Sequence, residues 1–332
     1  MASQSYSNIR LLSGRSNPLL ARSIASILNI SLVSVKFIDF GNTEMNVQIL
    51  DNIRGNDMFI LQTGSISDSL SVNDIIMELE LLINACKLAS VKSITLIIPH
   101  LPYSRSDKKD LPRTPIASSF LLRKLEFLGA TRVVSMDLHS GQIQGFVGLP
   151  YDNLYAKNIL CDYLVDKILV GDLSNFILVS PDNGGKNRVV SYAKKLKLQH
   201  IIMHKQRDYN EVSKVIKSII IGAGLSELVD KTAIIVDDIG DTMGTMVMAV
   251  QELKTYGITR VIIVVTHGIL SGQISIDRIN NEPLITDVIV TNTIDQTSKL
   301  LLCPKLKVVD TSIIFAEFIS RLTNGGSISE LF

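Results

Sequence analysis

Short β-branched runs along the chain alternate with segments in which apolar residues recur at helical spacing. Each run of Ile, Val and Leu is followed by a longer stretch with an apolar residue every three or four positions. The first such pairs are 9–12 with 19–28, 58–62 with 72–89, and 93–98 with 116–128. This alternation is typical of parallel βαβ units. The pattern predicts an α/β fold with parallel sheets flanked by helices.

The same alternation begins again after Asp152. Strands are expected at 176–179, 200–203, 233–236 and 260–266, with helices at 155–169, 185–196 and 242–256. A chain of 332 residues is long enough for two α/β domains, which we place at 8–155 and 156–332. No Pro- or Ser-rich linker separates them, which favours a tight interface with a site in the cleft. A helix near 312–322 is expected to pack back on the first domain.

Composition and charge exclude several classes of binding partner. Lys plus Arg total 33 and Asp plus Glu total 32, so no global field favours nucleic acid or an anionic membrane. The cysteines, Cys86, Cys161 and Cys303, have no paired spacing, which argues against zinc or disulfides and fits a reducing compartment. No apolar run approaches the roughly 18 residues needed to span a bilayer, and no signal peptide is recognisable. We expect a cytoplasmic protein, and small phosphorylated ligands are not excluded by this composition.

The segment TAIIVDDIGDTMGT, residues 232–245, carries the clearest chemistry. Apolar residues bring Asp237 and Asp238 to the carboxyl end of a strand, where open α/β sheets bind ligands. Backbone amides and the Thr242 and Thr245 hydroxyls can surround a phosphate at the following helix N-terminus, while adjacent carboxylates suit the vicinal hydroxyls of a ribose. The predicted 5-phosphoribose site comprises Asp237, Asp238, Asp241, Thr242, Met243, Gly244 and Thr245. The alternative is an acidic strand end that caps its helix.

Other polar groups follow predicted strands. Asp137 and His139 end one strand, and Asp182 precedes a Gly-Gly turn after another. Such groups can share a Mg²⁺ ion that bridges ATP phosphates, although Mg²⁺ prefers oxygen ligands. Lys205 and Arg207, one residue apart after the strand at 200–203, can supply positive charge to a diphosphate in transfer. They are the predicted catalytic residues, and a solvated basic pair is the alternative.

The chain resembles a known family in several of these segments. VDDIGDTMGT is similar to the phosphoribosyl-pyrophosphate loop of type I phosphoribosyltransferases and of ribose-phosphate pyrophosphokinases, and alone it does not separate them. Seven other segments of this chain resemble motifs of the pyrophosphokinases. They are FGNTE (40–44), RSDKKD (105–110) with Arg113, MDLHSGQIQGF (136–146), VSPDNGGKNR (179–188), HKQR (204–207), THGILSG (266–272) and VTNTI (290–294). On these motifs the chain is identified as a member of the ribose-phosphate pyrophosphokinase family, of its phosphate-dependent class.

The resemblance implies two type I phosphoribosyltransferase-like domains, Mg²⁺ as cofactor, and ATP and ribose 5-phosphate as substrates. The implied reaction moves the β,γ-diphosphate of ATP to the C1 hydroxyl of ribose 5-phosphate and yields phosphoribosyl pyrophosphate and AMP. It also implies a homo-oligomer, a hexamer built from dimers. A nucleobase phosphoribosyltransferase and a non-catalytic regulatory paralogue are the alternatives.

Individual residues take roles from the same resemblance. The implied ATP-binding residues are Phe40, Asn42, Glu44, Arg105, Ser106, Asp110 and His139. The first three, which we expect to alternate along an extended stretch, would form an adenine site lent by a neighbouring subunit; on spacing alone they indicate an exposed hairpin. The polar, Pro-flanked segment around Arg105 is expected to close over ATP as a lid, with a solvated loop as the alternative.

Magnesium ligands and an anion site follow in the same way. The implied metal set is Asp137, His139, Asp182 and Asp152, and the implied activating-anion residues are Arg54, Ser327 and Ser329. Ser106, Gly148 and Asn52 depart from the family pattern, in which Gln, Asp and Ser, respectively, are found in relatives.

Overall fold

The structure is a computed structural model that describes residues 8–66, 70–207, 215–222 and 228–331; for 205–207 and 215–220 it describes the backbone alone. The chain forms two compact units. The first comprises Met1–Tyr155, Thr293–Asp295 and Asp310–Phe332, and the second comprises Ala156–Asn292 and Gln296–Val309. No helix in the described ranges is long and apolar enough to cross a membrane.

The first unit is built around a parallel sheet. Its elements are β1 (Ile9–Ser13), α1 (Pro18–Leu28), β2 (Val35–Asp39), β3 (Met45–Ile49), β4 (Asp57–Leu61), α2 (Val72–Leu88), β5 (Ser93–Ile97), α3 (Ala117–Leu128), β6 (Arg132–Met136) and β7 (Tyr151–Leu154). The strand order is β1-β4-β5-β6-β7 with every pairing parallel, while β2 and β3 form a separate antiparallel hairpin. The predicted alternation of strand and helix is confirmed.

Local signals fix the ends of these helices. Asn17 accepts a hydrogen bond from the Leu20 amide just before Pro18 opens α1. Ser71 and Asp74 form a capping box at the start of α2. Buried Leu, Ile and Val on β4, β5 and β6 then pack against the apolar faces of α2 and α3, which places the core between sheet and helices.

The second unit has a larger sheet. Its elements are α4 (Lys157–Lys167), β8 (Phe176–Ser180), α5 (Lys186–Leu196), β9 (His200–Arg207), β10 (Val215–Gly222), β11 (Thr232–Gly240), α6 (Gly244–Thr255), β12 (Arg260–Gly268), α7 (Gly272–Asn281), β13 (Ile285–Thr291), α8 (Thr297–Leu302) and β14 (Leu306–Val309). The strand order is β10-β9-β8-β11-β12-β13-β14, parallel except for the antiparallel β10–β9 pair. Buried aliphatic residues run nearly continuously along β11 and β12, as expected of central parallel strands.

The last helix, α9 (Ser312–Thr323), belongs to the first unit, where it packs against α1. Phe315 and Phe318 on α9 are completely buried. Burial of two aromatic side chains stabilises this packing strongly, because each removes a large apolar area from water.

Candidate active site

The predicted phosphate loop lies at the carboxyl end of β11, between β8 and β12. β11 ends at Gly240, and α6 begins at Gly244. Met243 is buried and adopts a left-handed conformation with φ of 60°. A non-glycine residue in this conformation is strained and is found mostly at tight turns and functional sites. The loop backbone is therefore held in a specific shape immediately before the N-terminus of α6.

Asp237 and Asp238 share a cationic partner, Arg188. Arg188 Nη1 lies 3.2 Å from Asp237 Oδ1 and 3.4 Å from Asp238 Oδ1. Burial raises the pKa of the Asp237 carboxyl well above its ordinary value, and the adjacent Asp238 raises it further, while Arg188 opposes both effects. The arginine therefore restrains two carboxylates that would otherwise repel each other. In the sequence, Arg188 was identified only as the last residue of a motif, and its contact with the two carboxylates was not predicted.

A second arginine supports the loop from α7. Arg278 Nη1 donates a 2.7 Å hydrogen bond to the Thr242 carbonyl oxygen. A Cβ added at Gly244 would lie 3.3 Å from Arg278 Nη1, so a larger residue at this position would require the guanidinium to shift by a few tenths of an ångström. Arg278 was not identified from the sequence, because its position on α7 carries no motif that points to the loop.

Asp182 is fixed by the Gly-Gly turn that follows β8. Its Oδ1 accepts hydrogen bonds from the Gly184 amide at 2.8 Å and the Gly185 amide at 3.2 Å. Ser180 Oγ donates to the Asp182 carbonyl oxygen at 2.7 Å. The carboxylate is exposed and pre-oriented, with Oδ1 occupied by amides.

In the first unit, Asp137 and His139 directly follow β6. The Asp137 amide donates to the Leu154 carbonyl at 2.8 Å, and the Leu138 amide donates to Asn153 Oδ1 at 3.0 Å. Asp137 is buried with φ of 42°, and His139 is exposed. The strained backbone after β6 therefore rests on β7 and orients both side chains.

Asp152, the fourth residue of the predicted metal set, lies on β7, the strand that pairs with β6. Asp152 pairs with Val134 on β6, whereas Leu154 pairs with Met136, so Asp152 lies two positions before the carboxyl end of β7, an edge strand of the sheet. Its carboxylate forms an ion pair with Arg132 at the start of β6. The Asp152 carboxylate thus has a cationic partner in this unit, as Asp237 and Asp238 have in the second unit, and its role as a metal ligand stays a prediction.

Asp137 and Asp182 lie in separate units, and their role as magnesium ligands stays a prediction. Among the described residues, no group of three or more His, Cys, Asp or Glu side chains is arranged to hold a metal. Mg²⁺ commonly keeps several waters and binds to one or two carboxylates together with substrate phosphates. Exposed Asp182 and the strand-end Asp137 are donors of that kind.

The expected extended alternation of Phe40, Asn42 and Glu44 is wrong, and the hairpin expected from spacing is present. These residues form the turn between β2 and β3: the Phe40 amide donates to the Glu44 carbonyl at 2.8 Å, and the Thr43 amide donates to the Phe40 carbonyl at 2.9 Å. Thr43 has φ of 70°. Phe40 is 49% exposed, and Asn42 and Glu44 are also exposed. The turn thus presents an aromatic ring, an amide and a carboxylate to solvent, and their role in binding adenine stays a prediction.

The predicted lid precedes α3. Arg105 and Asp110 are exposed, and Lys108 Nζ lies 3.5 Å from Asp110 Oδ1. The Ser106 hydroxyl instead accepts a 3.2 Å hydrogen bond from the Ala117 amide, and the Ser106 carbonyl accepts a 2.8 Å bond from Ser118 Oγ. Ser106 therefore stabilises the first turn of α3, a structural role that was not predicted from the sequence.

Lys205 and Arg207 lie within β9, which is longer than the predicted strand. Their backbones pair with Ser218 and Val215 of β10. Their side chains are outside the described part of the structure, as are residues 208–214. Their catalytic role stays a prediction.

The predicted anion-site residues lie in two turns of the first unit. The Arg54 amide donates to Asn52 Oδ1 at 3.2 Å. The Ser329 amide donates to Ser327 Oγ at 3.3 Å, and Arg321 Nη1 donates to the Ser327 carbonyl at 2.7 Å. Asn52 thus orders the turn that carries Arg54, and the anion site stays a prediction.

The two helix-flanked parallel sheets define the class of protein, an α/β fold of the type I phosphoribosyltransferase kind. Residues 9–129 match the family model described as the N-terminal domain of ribose phosphate pyrophosphokinase, and residues 222–332 match the phosphoribosyl synthetase-associated domain. The solved phosphoribosylpyrophosphate synthetase from Mycobacterium smegmatis is 33% identical with a TM-score of 0.86, and the match covers 96% of this chain and 100% of that chain. A purine phosphoribosyltransferase from Pyrococcus horikoshii matches 35% of this chain and 75% of its own, at 22% identity and a TM-score of 0.27.

The chain belongs to the ribose phosphate pyrophosphokinase family. The family identified from the motifs, the fold class and the assignment as a ribose-phosphate diphosphokinase enzyme are therefore confirmed.

Proposed function

We propose that the protein transfers the β,γ-diphosphate of ATP to the C1 hydroxyl of D-ribose 5-phosphate. The products are 5-phosphoribosyl 1-diphosphate and AMP. The observation that carries this proposal is the pair of carboxylates, Asp237 and Asp238, restrained by Arg188 next to a loop that opens α6. That arrangement suits a sugar with vicinal hydroxyls and a phosphate, since the helix N-terminus attracts the anion.

In this mechanism the loop at 241–245 binds the 5-phosphate, and the carboxylates orient the ribose. The C1 oxygen attacks the β-phosphorus in line; its bond to phosphorus forms as the bond from the β-phosphorus to the oxygen of AMP breaks. Lys205, Arg207 and Arg105 stabilise the negative charge that develops on the leaving AMP and the non-bridging oxygens. The attacking hydroxyl releases its proton to solvent, since no general base is assigned.

Magnesium is the proposed cofactor, and it would offset charge on the diphosphate when bound. Asp137, His139, Asp182 and Asp152 are the residues proposed to hold it. Phe40, Asn42 and Glu44 are proposed to bind the adenine ring, and closure of the 105–110 segment would exclude water from ATP.

One assay tests the proposal against both alternatives. Purified protein is incubated with ATP, and AMP formation is measured with and without ribose 5-phosphate and Mg²⁺. We expect AMP only when both are present. Nucleotide formed from a free base and phosphoribosyl pyrophosphate would identify a nucleobase phosphoribosyltransferase, while absence of any AMP would indicate a regulatory paralogue.

A further inference from the structure

Arg15, in the segment between β1 and α1, connects the nucleotide turn at 40–44 to the core of the first unit. Its guanidinium reaches both Glu78 on α2 and Asp39 at the end of β2. Its Cζ also lies 4.9 Å from the centre of the Phe37 ring. No motif identified in the sequence includes Arg15.

The inner half of this connection is fixed by burial. The Glu78 side chain is fully buried, and its carboxylate accepts hydrogen bonds from the Arg15 amide at 2.8 Å and Arg15 Nε at 2.5 Å. Gln62 Nε2 donates to the same carboxylate at 2.9 Å, while Gln62 Oε1 accepts from Ser16 Oγ at 2.7 Å. A buried carboxylate must keep such partners, because leaving the charge unpaired is very costly. The network therefore sets the position of the Arg15 guanidinium.

The outer half is a two-bond contact with Asp39. Arg15 Nη1 and Nη2 donate to the two Asp39 carboxylate oxygens at 2.7 and 2.9 Å. Hydrogen bonding to Arg15 lowers the pKa of Asp39, so the contact is between charged groups at neutral pH. Paired bonds of this kind constrain direction as well as distance, which a lysine ammonium does not reproduce.

Asp39 is the residue immediately before the turn. An isolated two-stranded hairpin is marginally stable, and β2 and β3 are held on the first unit by Val35, Phe37, Val47 and Ile49, which pack against its core. The bonds from Arg15 to Asp39 add a directional contact at the end of the hairpin next to the turn. We infer that Arg15 is a positioning residue for nucleotide binding: it transmits the fixed position of Glu78 through Asp39 to Phe40, Asn42 and Glu44. This inference rests on the proposed function, in which that turn binds adenine.

The test compares Asp39→Ala, Arg15→Lys and Arg15→Ala with a control, Lys92→Ala, which removes the Lys92–Asp57 ion pair of the same unit. Because the Asp39 side chain is 59% exposed, Asp39→Ala is expected to fold even if Arg15→Ala does not. We expect Asp39→Ala and Arg15→Lys each to raise the KM for ATP about tenfold. The double variant that combines these two substitutions should have a KM for ATP only slightly higher than that of either single variant, because both remove the same contact. The kcat and the KM for ribose 5-phosphate should stay within about twofold of the wild type, as should every parameter of Lys92→Ala.

An unchanged KM for ATP in both Asp39→Ala and Arg15→Lys would overturn the inference, as would an equal loss for both substrates. Calorimetric titration with ATP separates this inference from the proposed function. A wild-type protein that forms no AMP but binds ATP, with binding weakened about tenfold in the same two variants, would refute the reaction and support the positioning role. A wild-type protein that does not bind ATP would overturn both.

Discussion

At the scale of single residues, the Asp237 carboxyl is buried beside a second carboxylate that opposes its ionisation. Its pKa in the folded protein is raised above the value of about 3.9 expected in the unfolded chain. The folded state therefore holds this proton more tightly than the unfolded state does, and the associated stability is lost as the pH rises through the raised pKa. The ligand-free protein accepts this cost at a proposed substrate site.

Asp237→Asn should therefore raise the melting temperature of the ligand-free protein at about pH 8, because an amide replaces a carboxylate that is costly to ionise. The gain should shrink at about pH 5, where the wild-type carboxyl is protonated in a larger fraction of molecules. Asp39→Asn is the control with the opposite sign: Arg15 lowers the pKa of Asp39, so this variant should lower the melting temperature at the higher pH. Calorimetric melting across that pH range measures both. A melting temperature of Asp237→Asn below that of the wild type at both about pH 5 and about pH 8 would contradict this prediction.

Combined replacement, Asp237→Asn with Asp238→Asn, should weaken ribose 5-phosphate far more than ATP. Both carboxylates are assigned to the sugar hydroxyls, and charged hydrogen bonds are stronger than neutral ones. Steady-state kinetics with each substrate varied in turn measure the effect. An equal loss for both substrates would instead indicate a metal-binding role for the pair.

Lys205→Ala and Arg207→Ala should each lower kcat by on the order of a hundredfold or more, because each cation is assigned to charge that develops in the transition state. The fold should be retained, as judged by circular dichroism and melting temperature. Lys194→Ala, which removes an exposed lysine from α5, is the matched control and should keep full activity. Unchanged turnover in both single variants would remove their catalytic assignment.

Local motifs in the sequence identify charged residues at a candidate site, but they do not identify the distant residues that form ion pairs with them. The sequence places Asp237 and Asp238 at a strand end because an apolar run directly precedes them. Arg188 is 50 positions away from Asp238, and Arg15 is 63 positions away from Glu78, so those pairings depend on packing of whole elements. Asp152 is a further case: its motif position indicates a metal ligand, and only the structure shows that its carboxylate also pairs with Arg132.

At the scale of elements, the close approach of two loops depends on Gly64, just after β4. Its amide donates to the His100 carbonyl at 2.8 Å, and a Cβ at this position would lie 2.2 Å from Pro102 Cδ. Gly64→Ala should therefore destabilise the protein by about 1–3 kcal/mol through overpacking. Gly145→Ala is the control, since a Cβ there meets nothing within 4 Å. Urea denaturation monitored by circular dichroism measures both, and equal stability of the two variants would contradict the prediction.

Hydrophobic period predicts elements well where strands are parallel and buried. The strands at β4, β5 and β11 and the helices α2 and α3 follow from it, because a period near two or a continuous apolar run differs clearly from a helical period. Turns are harder to predict. The left-handed conformations at Thr43, Asp137 and Met243 occur at non-glycine residues, and contacts with the surrounding structure offset their conformational strain.

At the scale of the whole molecule, the chain does not divide at one point. The sequence places a boundary at residue 155, and the first continuous part of the first unit ends at Tyr155. However, Thr293–Asp295 and Asp310–Phe332 also belong to that unit. Thr63 Oγ1 donates a 2.7 Å hydrogen bond to the Thr293 carbonyl, a contact between residues 230 positions apart. The short return at 293–295 has no period of its own, so no sequence pattern could predict it.

The last prediction concerns assembly and follows from the exposed turn at 40–44, which is proposed to bind adenine. Phe40 is 49% exposed at the tip of the β2–β3 hairpin, where a neighbouring chain could be contacted. If each proposed site takes Phe40 from one chain and Lys205 from its neighbour, a dimer contains two composite sites. Phe40→Ala and Lys205→Ala should then each be nearly inactive alone, and a monomer should be inactive.

Mixing the two variants should restore activity, because half of the sites in a mixed dimer contain both intact residues. Random pairing makes half of all dimers mixed, so co-expression should give about a quarter of the wild-type activity per site. Differently tagged chains allow mixed oligomers to be purified and their AMP formation measured. A second mixture, Lys205→Ala with Arg207→Ala, is the control and should show no recovery, because the proposed sites take both residues from the same chain. No recovery in verified mixed oligomers of Phe40→Ala and Lys205→Ala would mean that each site is built from a single chain.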